Sequence, residues 1–177
     1  MITLYTASSD TTITNRQIGN SLNRNAQYAN FGHGAFVETF AWTNRLSGSS
    51  EEARILLKLP FSQGDLALSS RWYLHMHTVA TSEGAPSDFS LDIKMLTGSW
   101  DAGHGIDDFY TQEGAGASWL SASNTLGWGI VGGDLIASPK VTEPFASGLE
   151  HLDADISSLM TYWTDTLGLG SPLMLGV

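Results

Sequence analysis

Residues 89–95 read FSLDIKM, and apolar and polar side chains alternate at every position of this stretch. Because successive side chains of a β-strand point to opposite sides, the alternation predicts a strand with one apolar face. Residues 53–61 and 72–79 show the same alternation over most of their length. Strands of this kind are typical of an antiparallel sheet that buries one face against a second layer.

Turn-forming residues separate these predicted strands. Clusters of Gly, Ser, Asp and Pro lie at residues 47–50, 63–65 and 83–86. Weaker strand signals lie at residues 12–14, 35–43 and 172–177. Gly, Ser and Thr make up 56 of the 177 residues, a composition typical of turn-rich β proteins. We therefore predict an all-β fold, a jelly-roll-like antiparallel β-sandwich that forms a single domain over residues 1–177.

One short helix is predicted near the C-terminus. Its apolar residues are spaced at i, i+3, i+4 and i+7, so they share one helix face. These residues are Ile156, Leu159, Met160 and Trp163. Asp155 precedes them and is a residue type that caps helix N-termini.

Residues 97–135 show no sustained periodicity and are rich in Gly, Ser, Asp and Trp. We predict that this segment is a long, structured loop excursion from the sandwich. Trp100, Trp119 and Trp128 are its expected anchors, because large aromatic side chains in a loop are often buried. Loops of this length in a compact domain are often functional.

The charge and the absence of cysteine exclude several classes of protein. Eight basic residues stand against 18 acidic ones, a net charge of -10, which argues against binding to nucleic acids or anionic membranes. The chain has no Cys, which excludes disulfides and thiolate zinc sites. We expect neither a signal peptide nor a membrane span from the apolar pattern. The chain ends within its last predicted strand, which is compatible with its being the first segment of a longer protein.

Four aspartates of the excursion are candidate calcium ligands. Calcium prefers six to eight oxygen ligands, and a flexible loop that carries several carboxylates can supply them. They are Asp101, Asp107, Asp108 and Asp134. The alternative is an acidic turn in solvent, since the spacing does not match an EF-hand. Calcium is the only cofactor that the sequence suggests.

Two tryptophans are candidates for stacking on a sugar ring, because an indole offers a broad apolar face with a polar edge. Trp42 and Trp128 have mostly small or polar neighbours in the sequence, so they are the best surface candidates. The alternative is that each anchors a loop in the core. Trp72 and Trp163 fall on apolar stripes and are predicted to be core residues.

Two other pairs of polar residues could bind a metal or take part in catalysis, but each also has an ordinary structural explanation. His75 and His77 lie on one face of a predicted strand and could ligate a metal, although the outer face of a sheet explains them equally simply. Asp153 and Asp155 have the spacing of a catalytic carboxylate pair, but capping and turn hydrogen bonds explain Asp155 without catalysis.

Six segments taken in order carry a family resemblance. They are SDTTIT (9–14), NFG (30–32), ARILLKL (53–59), SWDAGHG (99–105), ASW (117–119) with Trp128 and GGD (132–134), and LDADIS (152–157) with Trp163. Together they resemble the DNRLRE family of β-sandwich domains, in particular its divergent forms in tailed-phage virion proteins. Asp101 stands where the family usually has Glu, and the family's closing N-Y/F-G segment is absent.

The resemblance implies a non-enzymatic structural or adhesive component of a virion, assembled in the host cytoplasm. Capsid decoration, neck, tail and fibre are all compatible with it. The implied partners are other virion proteins, further copies of the chain in a homo-oligomer such as a trimer, and a host surface glycan. The alternatives are a carbohydrate-binding domain of a secreted protein and, with much less support, a polysaccharide-degrading enzyme, since no catalytic signature is present.

Overall fold

Antiparallel strands dominate the computed structural model, which describes residues 2–17, 26–45, 47–61, 63–66, 71–79, 87–106, 116–167 and 173–177. The strands within these ranges are β1 (Ser9–Thr14), β2 (Phe40–Thr43), β3 (Ser50–Leu59), β4 (Tyr73–Met76), β5 (Phe89–Leu96), β6 (Leu135–Phe145), β7 (Leu152–Asp155) and β8 (Leu173–Gly176). The helices are α1 (Gln63–Leu66), a single turn, and α2 (Ser157–Tyr162), which continues into a π-helical segment, Trp163–Leu167.

The strands form two antiparallel sheets. The larger sheet has six strands in the order β1-β3-β8-β5-β6, and β2 pairs with the first residues of β3. The smaller sheet consists of β4 and β7. The prediction of an all-β, sandwich-like fold with one short helix near the C-terminus is therefore confirmed.

The main core lies between one face of the large sheet and a layer made of the small sheet and α2. Ile55 and Leu57 of β3, with Ile93 and Met95 of β5, are buried there. Leu74 of β4 reaches the same cluster from the opposite layer. The alternation read from residues 53–61, 72–79 and 89–95 therefore identifies the core face of each of these strands. Two of the strands are shorter than predicted at their C-terminal ends, since β3 ends at Leu59 and β4 at Met76.

The C-terminal helix also forms as its spacing predicts. Its four apolar residues, Ile156, Leu159, Met160 and Trp163, are all buried in the main core. Asp155 precedes the helix, and its Oδ1 accepts a 2.9 Å hydrogen bond from the Ser157 backbone N–H. The Ser157 side chain first, and the Ser157 backbone N–H second, lower the pKa of Asp155, because hydrogen bonds from both stabilise the ionised carboxylate.

A second core lies on the opposite face of the large sheet. Leu56 of β3 and Ile13 of β1 are buried there beneath Trp100, Trp119 and Trp128 of the excursion. The excursion therefore covers the outer face of the sheet, and its predicted anchoring by three tryptophans is confirmed. Leu56 occupies a polar position of the alternation because it has this second layer to pack against.

Three elements differ from the sequence predictions. The predicted strand 35–43 is shorter and spans only Phe40–Thr43. β6 was not predicted, because Pro139, Pro144 and the charged residues between them interrupt its apolar pattern. Residues 63–66 form one helical turn where a plain turn was expected. In the part of the chain that the structure describes, no helix is long and apolar enough to cross a membrane.

Candidate functional site

An aromatic pair, one ring half-buried and the other exposed, lies at the end of the large sheet on the short strand β2. Phe40 and Trp42 are two residues apart, so their side chains project from the same face of the strand. Their rings stack with centroids 4.0 Å apart and planes inclined by 7°. Trp42 is 50% exposed. We call Phe40 and Trp42 the aromatic platform.

The buried carboxylate of Glu51 on β3 fixes the orientation of the Trp42 ring in the platform. Glu51 pairs directly with Trp42 across the two strands, and only 3% of its surface is exposed. Its carboxylate accepts hydrogen bonds from Trp42 Nε1 (2.6 Å), Asn44 Nδ2 (2.7 Å) and the Gln17 backbone N–H (3.0 Å). Three donors compensate a buried charge that would otherwise be costly, and they fix the plane of the indole ring.

Glu51 is a functional candidate that the sequence predictions missed. It occupies the same face of β3 as Ala53, Ile55 and Leu57, all of which are buried. A charged residue at a core position of an alternating strand is unusual, because buried carboxylates need partners. That irregularity in the alternation is the signal that could have identified it.

Polar and charged side chains flank the platform. The Arg16 guanidinium lies 6.0 Å from the centre of the Phe40 ring, a cation–π contact. Arg16 also forms a 2.9 Å ion pair with Glu38. Glu38 in turn lines a groove of about 310 Å³ whose other walls are Phe31, Gly34, Ala35, Phe36 and Ile106. The Arg16–Glu38 ion pair therefore lies between the aromatic platform and this groove.

The structure separates the two tryptophans predicted to bind glycans. Of the two interpretations of Trp128, the surface one is wrong and the loop anchor is confirmed, since only 8% of Trp128 is exposed. Its Nε1 donates a 2.8 Å hydrogen bond to the Ser118 carbonyl, so the indole is both buried and fully paired. Trp128 packs in the second core because the excursion folds back over the sheet. Trp42 remains as the only tryptophan of the six with half its surface exposed.

Two basic residues of β3 attach the excursion to the sheet. The Arg54 guanidinium lies 4.9 Å from the Trp119 ring centre and donates a hydrogen bond to the Gly132 carbonyl. Lys58 Nζ lies 5.3 Å from the Trp100 ring centre and donates a 3.1 Å hydrogen bond to the Trp100 carbonyl. Both cations therefore pack against the excursion, which covers the outer face of β3 at these residues.

Asn30 joins the excursion to the segment before β2. Its side chain is buried and donates 2.8 Å hydrogen bonds to the Ala102 and Ala117 carbonyls. Its Oδ1 accepts hydrogen bonds from the backbone N–H groups of Gly105 (2.8 Å) and Gly32 (3.2 Å). Both polar atoms of the amide are therefore satisfied, and the two chain segments are locked in register.

The structure describes two of the four predicted calcium ligands, Asp101 and Asp134. Asp134 Oδ2 and Oδ1 accept hydrogen bonds from the backbone N–H groups of Gly129 (3.0 Å) and Ile130 (2.6 Å), and Asp101 Oδ1 accepts one from Gly103 (3.1 Å). Among the described residues, no group of three or more His, Cys, Asp or Glu side chains could hold a metal ion. Asp107 and Asp108 lie outside the described residues, so a site that includes them stays a prediction.

The histidine and aspartate pairs lie on the exposed face of the small sheet. His75 is directly opposite Asp153, and their Nδ1 and Oδ1 atoms are 3.2 Å apart. Asp153 and Asp155 flank the buried Ala154, as the alternation predicts. The described residues supply no third metal ligand for His75 and His77. The plain interpretation of His75 and His77 as part of an outer sheet face is therefore the one that the geometry favours.

In comparisons with known proteins, no family model, no curated protein and no solved structure matches this chain.

Proposed function

We propose that this chain is a non-enzymatic structural or adhesive component of a tailed-phage virion. The observation that carries the proposal is the way the segments of the family resemblance pack together. The NFG and SWDAGHG segments are joined by the hydrogen bonds of Asn30. The ARILLKL and ASW segments are joined where Arg54 stacks on Trp119. Segments that resemble one β-sandwich family thus form one continuous structural unit in this chain.

The surface of this unit suits contact with other proteins. Large apolar side chains stand exposed on the excursion and on the segment before β2, which is typical of interaction surfaces. They include Phe36, Ile106, Leu126, Ile130 and Val131. Within the virion proposal these contacts are with other virion proteins and with further copies of the chain.

Immunogold labelling of purified virions with an antibody against this domain tests the proposal. Regular label on the particle is the expected result, and its position assigns the chain to capsid, neck, tail or fibre. The control is the same antibody after adsorption with the purified domain. Absence of label on particles, with the antigen free in the lysate or on cell surfaces, contradicts the virion proposal.

Carbohydrate binding is a second candidate function, and the aromatic platform favours it. A sugar ring stacks its C–H face on an aromatic ring, and a ring held in a fixed plane loses little entropy on binding. Trp42 is exposed, and the buried Glu51 carboxylate fixes its orientation. Because the chain carries a net charge of -10, a neutral saccharide fits the site better than an acidic one.

Intrinsic tryptophan fluorescence provides a direct test, since Trp42 is the most exposed of the six tryptophans. Titration with neutral hexose and N-acetylhexosamine oligosaccharides is expected to change the emission of the native chain. Trp42→Ala lacks this fluorophore, so its binding is measured by isothermal titration calorimetry and should be about tenfold weaker or more. Tyr73→Ala is the matched control, because Tyr73 is an equally exposed aromatic residue on the other sheet. Equal binding by both variants contradicts the assignment to Trp42.

A further inference from the structure

The exposed face of the small sheet concentrates titratable side chains. His75 and His77 project from the β4 side, and His151 and Asp153 project from the β7 side. His75 pairs with Asp153, while the rings of His77 and His151 meet edge to face with centroids 4.6 Å apart. Three of the five histidines of the chain therefore lie on one face of a two-stranded sheet.

The contact at the end of this sheet requires a neutral His151. His151 Nδ1 accepts a 3.1 Å hydrogen bond from the Thr78 backbone N–H. A protonated imidazole carries a hydrogen on both ring nitrogens and has no acceptor left. Protonation of His151 therefore removes this hydrogen bond, and protonation of both His77 and His151 also places two positive charges side by side.

The contact in the middle of the sheet has the opposite requirement. His75 Nδ1 lies 3.2 Å from Asp153 Oδ1, so a proton on His75 creates an ion pair with the carboxylate. Acidification thus strengthens the His75–Asp153 contact and breaks the His151–Thr78 contact, although the two lie on neighbouring cross-strand positions.

The other charged and titratable groups near this face are already engaged. Glu150 Oε1 accepts hydrogen bonds from the Ala146 and Ser147 backbone N–H groups, and its carbonyl accepts one from the Thr78 hydroxyl. At the far end of the sheet, Asp155 accepts a hydrogen bond from the Ser157 backbone N–H and interacts electrostatically with Arg71, and Tyr73 stacks beside His75. Ile156, and not Asp155 as predicted, is the N-cap residue of α2. Histidine is the residue type on this face whose ordinary pKa lies between about pH 5 and 8.

We propose that the small sheet contains a pH-operated latch, in which protonation of His151 breaks one of two hydrogen bonds that attach Thr78 to residues 150–151, and the other bond, from the Thr78 hydroxyl to the Glu150 carbonyl, remains. The His75–Asp153 pair meanwhile holds the sheet closed at its centre. The next cross-strand pair inward is Met76 and Leu152, and Leu152 is buried in the main core. Opening of the latch therefore exposes the edge of the core next to the 146–151 loop. This inference goes beyond the proposed function and does not depend on it.

Amide hydrogen exchange of Thr78, measured by NMR at about pH 7.5 and about pH 5, tests the latch. After correction for the intrinsic exchange rate, we expect the protection of the Thr78 amide to fall about three- to tenfold on acidification, the effect of one lost hydrogen bond. In His151→Asn the amide oxygen replaces Nδ1 as an acceptor and does not titrate, so the protection should become independent of pH.

His75→Asn is the matched control, since it removes the contact that acid strengthens. It should retain the fall in Thr78 protection. The nitrogen chemical shifts of the His151 ring in the native chain give a second measurement that needs no variant, and they should show an unprotonated Nδ1 at about pH 7.5 that becomes protonated at about pH 5. An unchanged fall in protection in His151→Asn, or a Thr78 protection in the native chain that does not change with pH, overturns the proposal.

Discussion

Trp100 shows at the scale of one residue how the excursion is held on the sheet. The indole is buried in the second core, and its Nε1 has no hydrogen-bond partner among the residues that the structure describes. The Lys58 ammonium contacts other parts of the residue, since it lies over the ring face and donates a hydrogen bond to the Trp100 carbonyl. The residue thus stabilises the fold through apolar area and a cation–π contact, while its polar edge costs free energy.

Trp100→Ala is expected to lower the free energy of unfolding by about 3–5 kcal/mol, because it leaves a large cavity under the excursion. Trp100→Phe should cost less, since it keeps an aromatic ring near Lys58 and removes the unpaired donor. Urea unfolding followed by circular dichroism measures both. An unchanged stability of Trp100→Ala contradicts the anchoring role.

At the scale of elements, close backbone contact joins the segment before β2 to the excursion. A Cβ on Gly32 would overlap the carbonyl oxygen of Ala102, and one on Gly105 would overlap the carbonyl oxygen of Asn30. The two segments can approach this closely only because glycine has no side chain. The hydrogen bonds of Asn30 depend on the same approach.

Gly32→Ala is therefore expected to destabilise the chain by about 2 kcal/mol or more, since the added methyl group meets backbone that cannot rotate away. Gly98→Ala is the control, because Gly98 has open space around it and no positive φ, and its effect should stay within about 0.5 kcal/mol. Thermal unfolding of the two variants measures the difference. Equal melting temperatures would show that the close packing at Gly32 is not required.

The exposed face of β5 and β6 carries a cross-strand charge network. Lys140 Nζ and the Thr142 hydroxyl donate hydrogen bonds to the Asp92 carboxylate, and Lys94 Nζ lies 3.3 Å from it. These partners, Lys140 first, lower the pKa of Asp92 to about 2. A folded-state pKa below that of an unfolded Asp means that ionised Asp92 favours the folded state.

This contribution is present above about pH 4 and is lost as the pH falls toward about 2. We expect Asp92→Asn to destabilise the chain at neutral pH by less than about 1 kcal/mol, because the network is partly exposed to solvent. The difference from the native chain should disappear near pH 2. Urea unfolding over this pH range measures it, and a difference that stays constant with pH contradicts the role of the charge.

At the scale of the whole molecule, both faces of the large sheet carry a core, although the outer face is covered at β1 and β3 and open at the charge network of β5 and β6. The small sheet and α2 form the main core on one face, and the excursion forms the second core on the other. The two cores share β3, whose Leu57 faces one and whose Leu56 faces the other. A strand with buried side chains on both faces ties the two layers together, so we expect them to unfold in one transition.

The virion proposal also implies self-association, because most oligomers of identical chains are closed and symmetric. We expect light scattering at micromolar concentration to give a mass that is a multiple of the 19.0 kDa chain. Since the chain carries a net charge of -10, raising the salt concentration should favour association by screening repulsion. A mass of one chain at both low and high salt contradicts the homo-oligomer.

Much of the fold follows from the sequence alone. Local alternation along 53–59, 72–77 and 89–95 determines which side chains of β3, β4 and β5 face the main core, since a strand repeats every two residues. The spacing of Ile156, Leu159, Met160 and Trp163 likewise determines the buried face of α2. These properties depend on neighbours in the chain, so a pattern in the sequence is sufficient to predict them.

Other features were decided only by the tertiary structure. Trp128 is buried and Trp42 exposed, although both have small or polar neighbours in the sequence, because the excursion folds over the sheet and β2 lies at its end. The partners of Glu51 come from residues 17, 42 and 44, and three of the four described partners of Asn30 lie more than 70 residues away. Contacts with distant segments determine whether these four residues are buried. Such contacts produce no periodic pattern in the neighbouring sequence, so the sequence pattern could not predict them.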